Sequence, residues 1–167
     1  MSPILSPDTL DIISHSPEQT RRLASRLASL LTGGETICLE GPLGAGKTTF
    51  AQGVGQGLGI DEPIISPTFT LIREYGPVDD RPALYHIDFY RLESLQDLQT
   101  LGLDDYFYGD GVCVVEWPER AEMLLPAERL WIEMREIGDT KRSLLIRADG
   151  DRYRQLLRDF KRIAYGL

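Results

Sequence analysis

Gly41-Pro42-Leu43-Gly44-Ala45-Gly46-Lys47-Thr48 satisfies G-x-x-x-x-G-K-[ST] at every fixed position. Ahead of it, Thr36-Ile37-Cys38-Leu39-Glu40 is a short β-branched and apolar run that reads as a buried strand. Behind it, Thr49-Phe50-Ala51-Gln52 opens a helix. Strand, glycine loop and helix in that order turn the pattern into a phosphate site. Glycines let the loop turn backbone N–H groups inward, and the helix N-terminus adds unpaired N–H groups and the positive end of its dipole. A charge near a helix end gains only about 0.3–1 kcal/mol, so several such effects must act together. In such a loop Lys47 is expected to reach the β- and γ-phosphates, and the Thr48 hydroxyl to ligate Mg²⁺. Gly41, Leu43, Gly44, Ala45, Gly46, Lys47, Thr48 and Thr49 are the expected nucleotide contacts. A turn that merely joined strand to helix would need neither Lys47 nor Thr48.

At 167 residues the chain is expected to form one domain, residues 1–167, with an ordinary apolar fraction of 42% and charged fraction of 26%. A net charge of −8 leaves no electrostatic footprint for gripping nucleic acid or an anionic membrane. The phosphates of a nucleotide must then be neutralised locally, by Lys47 and a metal ion. No apolar run approaches the roughly 18 residues of a membrane span. The basic-then-apolar pattern of a signal peptide is also missing from the start, so the expected compartment is the cytoplasm. Cys38 and Cys113 both fall in expected strands and read as small buried apolar residues.

Outward from the loop, residues 1–7, with Pro3 and Pro7, read as a loose lead-in, and a short strand is expected around Leu10 to Ile12. Ser16-Pro17-Glu18-Gln19 carries a helix start: Ser16 caps, Pro17 takes the first position, and Gln19 completes a capping box. Leu23, Leu27, Leu30 and Leu31 mark its apolar face, and Gly33-Gly34 is the expected stop. In the helix after the loop, Gly53, Gly55, Gly57 and Gly59 each cost about 0.8–1 kcal/mol relative to Ala. That helix is expected to be short or to fray past Gln56, its glycines serving close packing against the sheet. Ile64 to Tyr75 reads as a kinked segment running into a strand, since Pro67 lacks a donor, and Ala83 to Asp88 as its return partner. The Ser66-Pro67-Thr68 kink sits where a γ-phosphate-sensing switch is expected. Ser94 to Leu101 reads as a helix, and the acidic, aromatic Asp104 to Tyr108 as a lead to the strand Val112 to Glu116, apolar on both faces. A brief helix, Pro118 to Leu124, follows. Leu130 to Met134 and Ser143 to Ile146 then pair as an antiparallel hairpin across Gly138-Asp139. The last helix, within 150–167, carries five Lys or Arg against two Asp in an otherwise acidic chain. It is either a solvated face or a docking surface.

Phosphoryl transfer needs a metal ion, positioned phosphates and an oriented nucleophile. In open α/β sheets ligands bind at the carboxyl ends of the strands. Asp88 and Glu116 each end an apolar strand, where a bare charge is costly. One is expected to help hold Mg²⁺ and the other to position attacking water, and spacing does not say which. His86 shares a strand face with Asp88, as a base or as a packed histidine.

The motifs Gly41–Thr49, Ser66-Pro67-Thr68-Phe69, Tyr85-His86-Ile87-Asp88-Phe89-Tyr90-Arg91-Leu92 and Glu116-Trp117-Pro118-Glu119 together resemble the bacterial TsaE family, in its order and at fitting separations. The likeness spans roughly Thr20 to Arg147, and the histidine–aspartate and glutamate–tryptophan motifs are far more specific than the glycine loop. The resemblance implies a single-domain α/β, P-loop NTPase-like, three-layer fold with a mixed, largely parallel sheet, here followed by the hairpin and helix. It implies ATP and Mg²⁺ as ligands and weak ATPase activity alone. The implied partner is a TsaB–TsaD complex that transfers threonylcarbamoyl to adenosine 37 of tRNAs reading codons that begin with A. The ATP cycle then resets that complex, and tRNA is met only through it. By motif match, Thr48 and Glu116 carry over as metal ligands, Lys47 as the phosphate lysine, Asp88 as a catalytic-site acid and Thr68 as the switch threonine. Lys141-Arg142 carries over as a nucleotide contact.

Two other classes share the loop. A small-molecule kinase would need a basic lid, for which the Gly76–Arg81 loop offers only Arg81. A module with a structural nucleotide would bind ATP and make no ADP.

Overall fold

The computed structural model describes residues 5–67, 71–99 and 101–166, with only the backbone described at Leu5, Leu95 and Asp97. In chain order the elements are β1 (Leu5–Ser6), β2 (Thr9–Ser14), α1 (Pro17–Ala28), β3 (Thr36–Glu40), α2 (Lys47–Gly57), β4 (Ile72–Tyr75) and β5 (Leu84–Asp88). There follow α3 (Leu95–Gln99), α4 (Leu103–Phe107), β6 (Val112–Glu116), a 3-10 helix (Pro118–Leu124), β7 (Arg129–Glu136), β8 (Arg142–Asp149) and α5 (Asp151–Tyr165).

One eight-stranded sheet runs in the order β1-β2-β8-β7-β3-β6-β5-β4. The sheet is mixed, as expected. Its parallel pairings, β7–β3, β3–β6 and β6–β5, are confined to the middle, and antiparallel strands flank them on both sides. Alternate residues of the central strands feed two cores. Ile37, Leu39, Val112, Val114, Leu130 and Ile132 pack beneath α1, α2 and α5, while Cys38, Cys113, Val115 and Trp131 pack beneath α3, α4 and the 3-10 helix. The result is three layers. Both cysteine thiols are buried, and burial pushes the Cys113 thiol up to about 12.

Several local expectations need correcting. Residues 5 and 6 are not loose: β1 pairs with Thr9 and Leu10, its Ser6 and Thr9 hydroxyls 2.6 Å apart, and Lys161 donates to the Ser6 carbonyl. Ser16 caps α1 and accepts from the Gln19 N–H, while the Gln19 side chain reaches back to the His15 N–H at 2.6 Å. That helix stops at Ala28, before Gly33-Gly34, because the Ser29 hydroxyl bonds the Arg26 carbonyl and ends the ladder. Asp104 to Tyr108 is not irregular but mostly α4, which buries Leu103 and Phe107.

α2 ends at Gly57, one residue past Gln56 and so where its glycines were expected to end it; what needs correcting is the surface those glycines pack against. A Cβ on Gly53 would stand 2.4 Å from the Arg21 carbonyl and 2.6 Å from the Ala24 Cβ; one on Gly57 would stand 2.5 Å from the Ser25 carbonyl. These two glycines, four apart and so on one face, let α2 press against α1 rather than against the sheet. Gly55 faces Ile64 instead.

Candidate functional site

β3 carries the glycine loop at its carboxyl end, and the parallel strands β5 and β6 end beside it. The register pairs Asp88 directly with Glu116. The three strand ends, the start of α2 and the start of α1 enclose a cleft of about 420 Å³. Gly44, with φ +83, and Gly46, with φ +99, take the left-handed backbone that glycine tolerates, and Gly46 is the N-cap of α2. Gly44, Gly46, Lys47, Thr48 and Thr49 line the cleft together with Leu43, which is 67% exposed. Gly41 and Ala45 sit behind the loop: Gly41 lies against the Met134 carbonyl with no room for a Cβ, and Ala45 is fully buried.

The other expected side chains converge here as well. Asp88, Glu116 and Arg142 all line the cleft. Thr68 lies outside the described residues, but its neighbour Ser66 does not: the Ser66 hydroxyl is 2.8 Å from the Thr48 hydroxyl and 3.4 Å from Glu116 Oε2. The Thr48 hydroxyl lies 3.5 Å from the same Oε2. Arg142 donates to the Gly44 carbonyl at 3.1 Å and to the carbonyls of Gly138 and Lys141, stitching the β7–β8 turn to the loop.

His86 is settled by burial. With no exposure it cannot meet a substrate, and its Nε2 lies 2.5 Å from Glu116 Oε2. Glu116 is itself only 3% exposed. Lys47, likewise buried, donates to the Gly41 carbonyl and holds its ammonium 3.6 Å from the centre of the Trp117 ring. Burial pulls the Lys47 amine below its usual range, against the carboxylates of Glu116, Glu119 and Asp88. Burial pushes the Asp88 carboxyl up, opposed by the Tyr90 N–H that bonds it at 2.8 Å, and the nearby Glu116 charge pushes the same way.

Thr48 and Glu116 offer a hydroxyl and a carboxylate, oxygen donors that suit a hard divalent cation. Among the described residues no three His, Cys, Asp or Glu side chains converge to hold an ion by themselves. That suits Mg²⁺, which is commonly held by one or two protein oxygens plus substrate phosphates. The residues fit the ion the loop implies.

Sequence reasoning did not place Pro17, Thr20, Tyr90, Arg91, Asp139 or Thr140 in the cleft wall. Pro17 and Thr20 arrive there through the α1–α2 packing, for which the paired glycines were the available signal. Tyr90 stacks on Trp117 with ring centres 5.0 Å apart. Arg81, the one candidate for a basic lid, folds back onto the Gly57 carbonyl at the end of α2. Among the described residues no helix is long and apolar enough to cross a membrane.

The model of the family described as threonylcarbamoyl adenosine biosynthesis protein TsaE matches residues 14–144. A protein of Bacillus subtilis named tRNA threonylcarbamoyladenosine biosynthesis protein TsaE is 46% identical over 88% of this chain and 90% of its own length. A protein of the same name from Treponema pallidum is 42% identical over 80% of this chain and 97% of its own. The crystal structure of Bacillus subtilis YdiB superposes with a TM-score of 0.80 at 41% identity, over 93% of this chain and 96% of that one.

Proposed function

The chain belongs to the TsaE family, and on that footing we propose that it is the ATP-binding and ATP-hydrolysing subunit of tRNA threonylcarbamoyladenosine synthesis. In this reading it works in the cytoplasm on a TsaB–TsaD complex and meets tRNA only through that complex. The observation that carries the reading is the convergence of Lys47, Thr48, Asp88 and Glu116 on one cleft at the carboxyl ends of β3, β5 and β6.

The glycine loop and the start of α2 bind the phosphates through backbone N–H groups, and Lys47 swings from the Gly41 carbonyl onto the terminal phosphates. Mg²⁺ would be held by the Thr48 hydroxyl and the Glu116 carboxylate, and when bound it neutralises phosphate charge. Asp88, beside Glu116 and open to the cleft, orients the attacking water. Burial raises this carboxyl above the ordinary aspartate range, which makes it a better proton acceptor than an exposed aspartate.

ATP turnover by the purified chain, alone and with TsaB–TsaD, tests this. Slow turnover that rises strongly with the complex is expected. An ATPase rate that stays at background with the complex present would overturn the reading.

A further inference from the structure

The His86–Glu116 pair does more than fill the interior. The imidazole is wholly buried, and among the described residues its Nδ1 has no hydrogen-bond partner, so its strong contact there is Nε2 to Glu116 Oε2 at 2.5 Å. Nε2 must carry the proton for that contact to be a hydrogen bond, because a carboxylate only accepts. Oε2 also lies 3.4 Å from the Ser66 hydroxyl and 3.5 Å from the Thr48 hydroxyl, but these two bond each other at 2.8 Å and so have one proton between them for the carboxylate, which leaves the imidazole as its shortest contact. The backbone sets this up. β5 and β6 are parallel with His86 opposite Val114 and Asp88 opposite Glu116, so His86 lies one pleat below the carboxylate on the neighbouring strand.

We infer that His86 is a positioning residue that fixes the rotamer of the Glu116 carboxylate so that it and Thr48 present oxygens to a divalent cation. This rests on the function proposed above. A glutamate at a strand end has three free torsions and two equivalent oxygens; anchoring one oxygen from beneath removes that freedom before ligand arrives. Partners of metal ligands typically matter by about 10–100-fold in metal affinity.

The test uses the full chain with Mn²⁺ and ADP as probes. Binding of Mn²⁺ to the ADP-loaded protein is followed by electron paramagnetic resonance, and ADP affinity is measured separately with metal removed. His86→Leu should weaken Mn²⁺ binding by about 10–100-fold and leave metal-free ADP affinity unchanged. His86→Gln, whose amide places a donor near the Nε2 position, should restore most of the loss. Wild-type Mn²⁺ affinity in folded His86→Leu would overturn the inference, as would an equal loss of metal-free ADP affinity. Should His86→Leu unfold by stranding a buried charge, the His86→Leu/Glu116→Gln protein removes that charge. Recovery of its melting temperature towards that of Glu116→Gln supports the pairing, and no recovery overturns it. Failure of the proposed function looks different: ATP turnover would stay at background with TsaB–TsaD present, while the Mn²⁺ and melting-temperature comparisons would still report on the pair.

Discussion

The ammonium of Lys47 rests 3.6 Å from the centre of the Trp117 ring, and Trp117 holds a left-handed backbone, φ 58 and ψ 45, to put the ring there. Such a conformation costs on the order of 1–3 kcal/mol for a bulky residue and persists only where its surroundings enforce it. The Tyr90 ring, 5.0 Å away, and the Lys47 ammonium are the contacts that hold it. The lysine is thus kept over the loop rather than in solvent.

Lys47→Ala should lower stimulated ATP turnover by about 10²–10³-fold, the typical loss for one charge-stabilising donor. Its circular dichroism spectrum should match wild type. Unchanged turnover in the purified variant would remove Lys47 from the chemistry.

Gly53→Ala tests two opposed effects. Helix propensity favours alanine by about 0.8–1 kcal/mol. The new methyl, however, would stand 2.4 Å from the Arg21 carbonyl and 2.6 Å from the Ala24 Cβ, both in well-packed backbone or core. Overpacking of this kind typically costs about 1–3 kcal/mol, so the clash decides the sign. Thermal unfolding should fall by several degrees, at about 2–4 °C per kcal/mol for a chain of this size. Gly55→Ala should be milder, because its nearest neighbours are side-chain atoms of Ile64, Cγ1 at 2.8 Å and Cδ1 at 3.1 Å, rather than backbone. A rise in melting temperature for Gly53→Ala would refute the packing argument.

Asp88 gives a pH prediction. Its carboxyl is raised above the ordinary 3.8 when folded, so between 3.8 and the raised value the folded state holds a proton that the unfolded state has lost. Stability therefore falls as pH rises through that window. Asp88→Asn keeps an oxygen for the Tyr90 N–H but has no charge to bury. Its melting temperature should match wild type near pH 3.5 and exceed it at pH 7, while ATP turnover is lost. Equal melting temperatures at both pH values would show that burial of the Asp88 charge carries no penalty.

Arg142→Ala cuts the link between the β7–β8 turn and the Gly44 carbonyl. The side chain is half-buried and its hydrogen bonds go to neutral carbonyls, so a loss of about 1 kcal/mol, near fivefold in ATP affinity, is expected. Isothermal titration reads it directly, and unchanged affinity would mean that the turn does not shape the loop.

How far the sequence alone reached follows from which forces are local. The phosphate loop, the Ser16–Gln19 cap and the β7–β8 hairpin are written in neighbouring residues, and each appears where the pattern put it. Asp88 and Glu116 were legible because a charge ending an apolar strand is conspicuous. Their direct pairing was not, since strand register is a tertiary fact. The same holds for His86: residue spacing put it on a face with Asp88, but only the neighbouring strand brings Glu116 to its Nε2. α4 was missed because Asp104, Asp105 and Tyr106 look like loop residues until Leu103 and Phe107 find a core to fill.

The contact of Gly53 and Gly57 with α1 also says how the cleft is able to move. Pro17 and Thr20 on one helix and Lys47 to Thr49 on the other are walls of the same cavity, and their helices meet with carbonyl and Cβ atoms where side chains would ordinarily stand. Helices interlocked at that range have no side-chain cushion along which to slide. This half of the cavity behaves as a fixed jaw. Any closing on a nucleotide would have to come from the other walls, Ser66-Pro67, Tyr90 and Arg91.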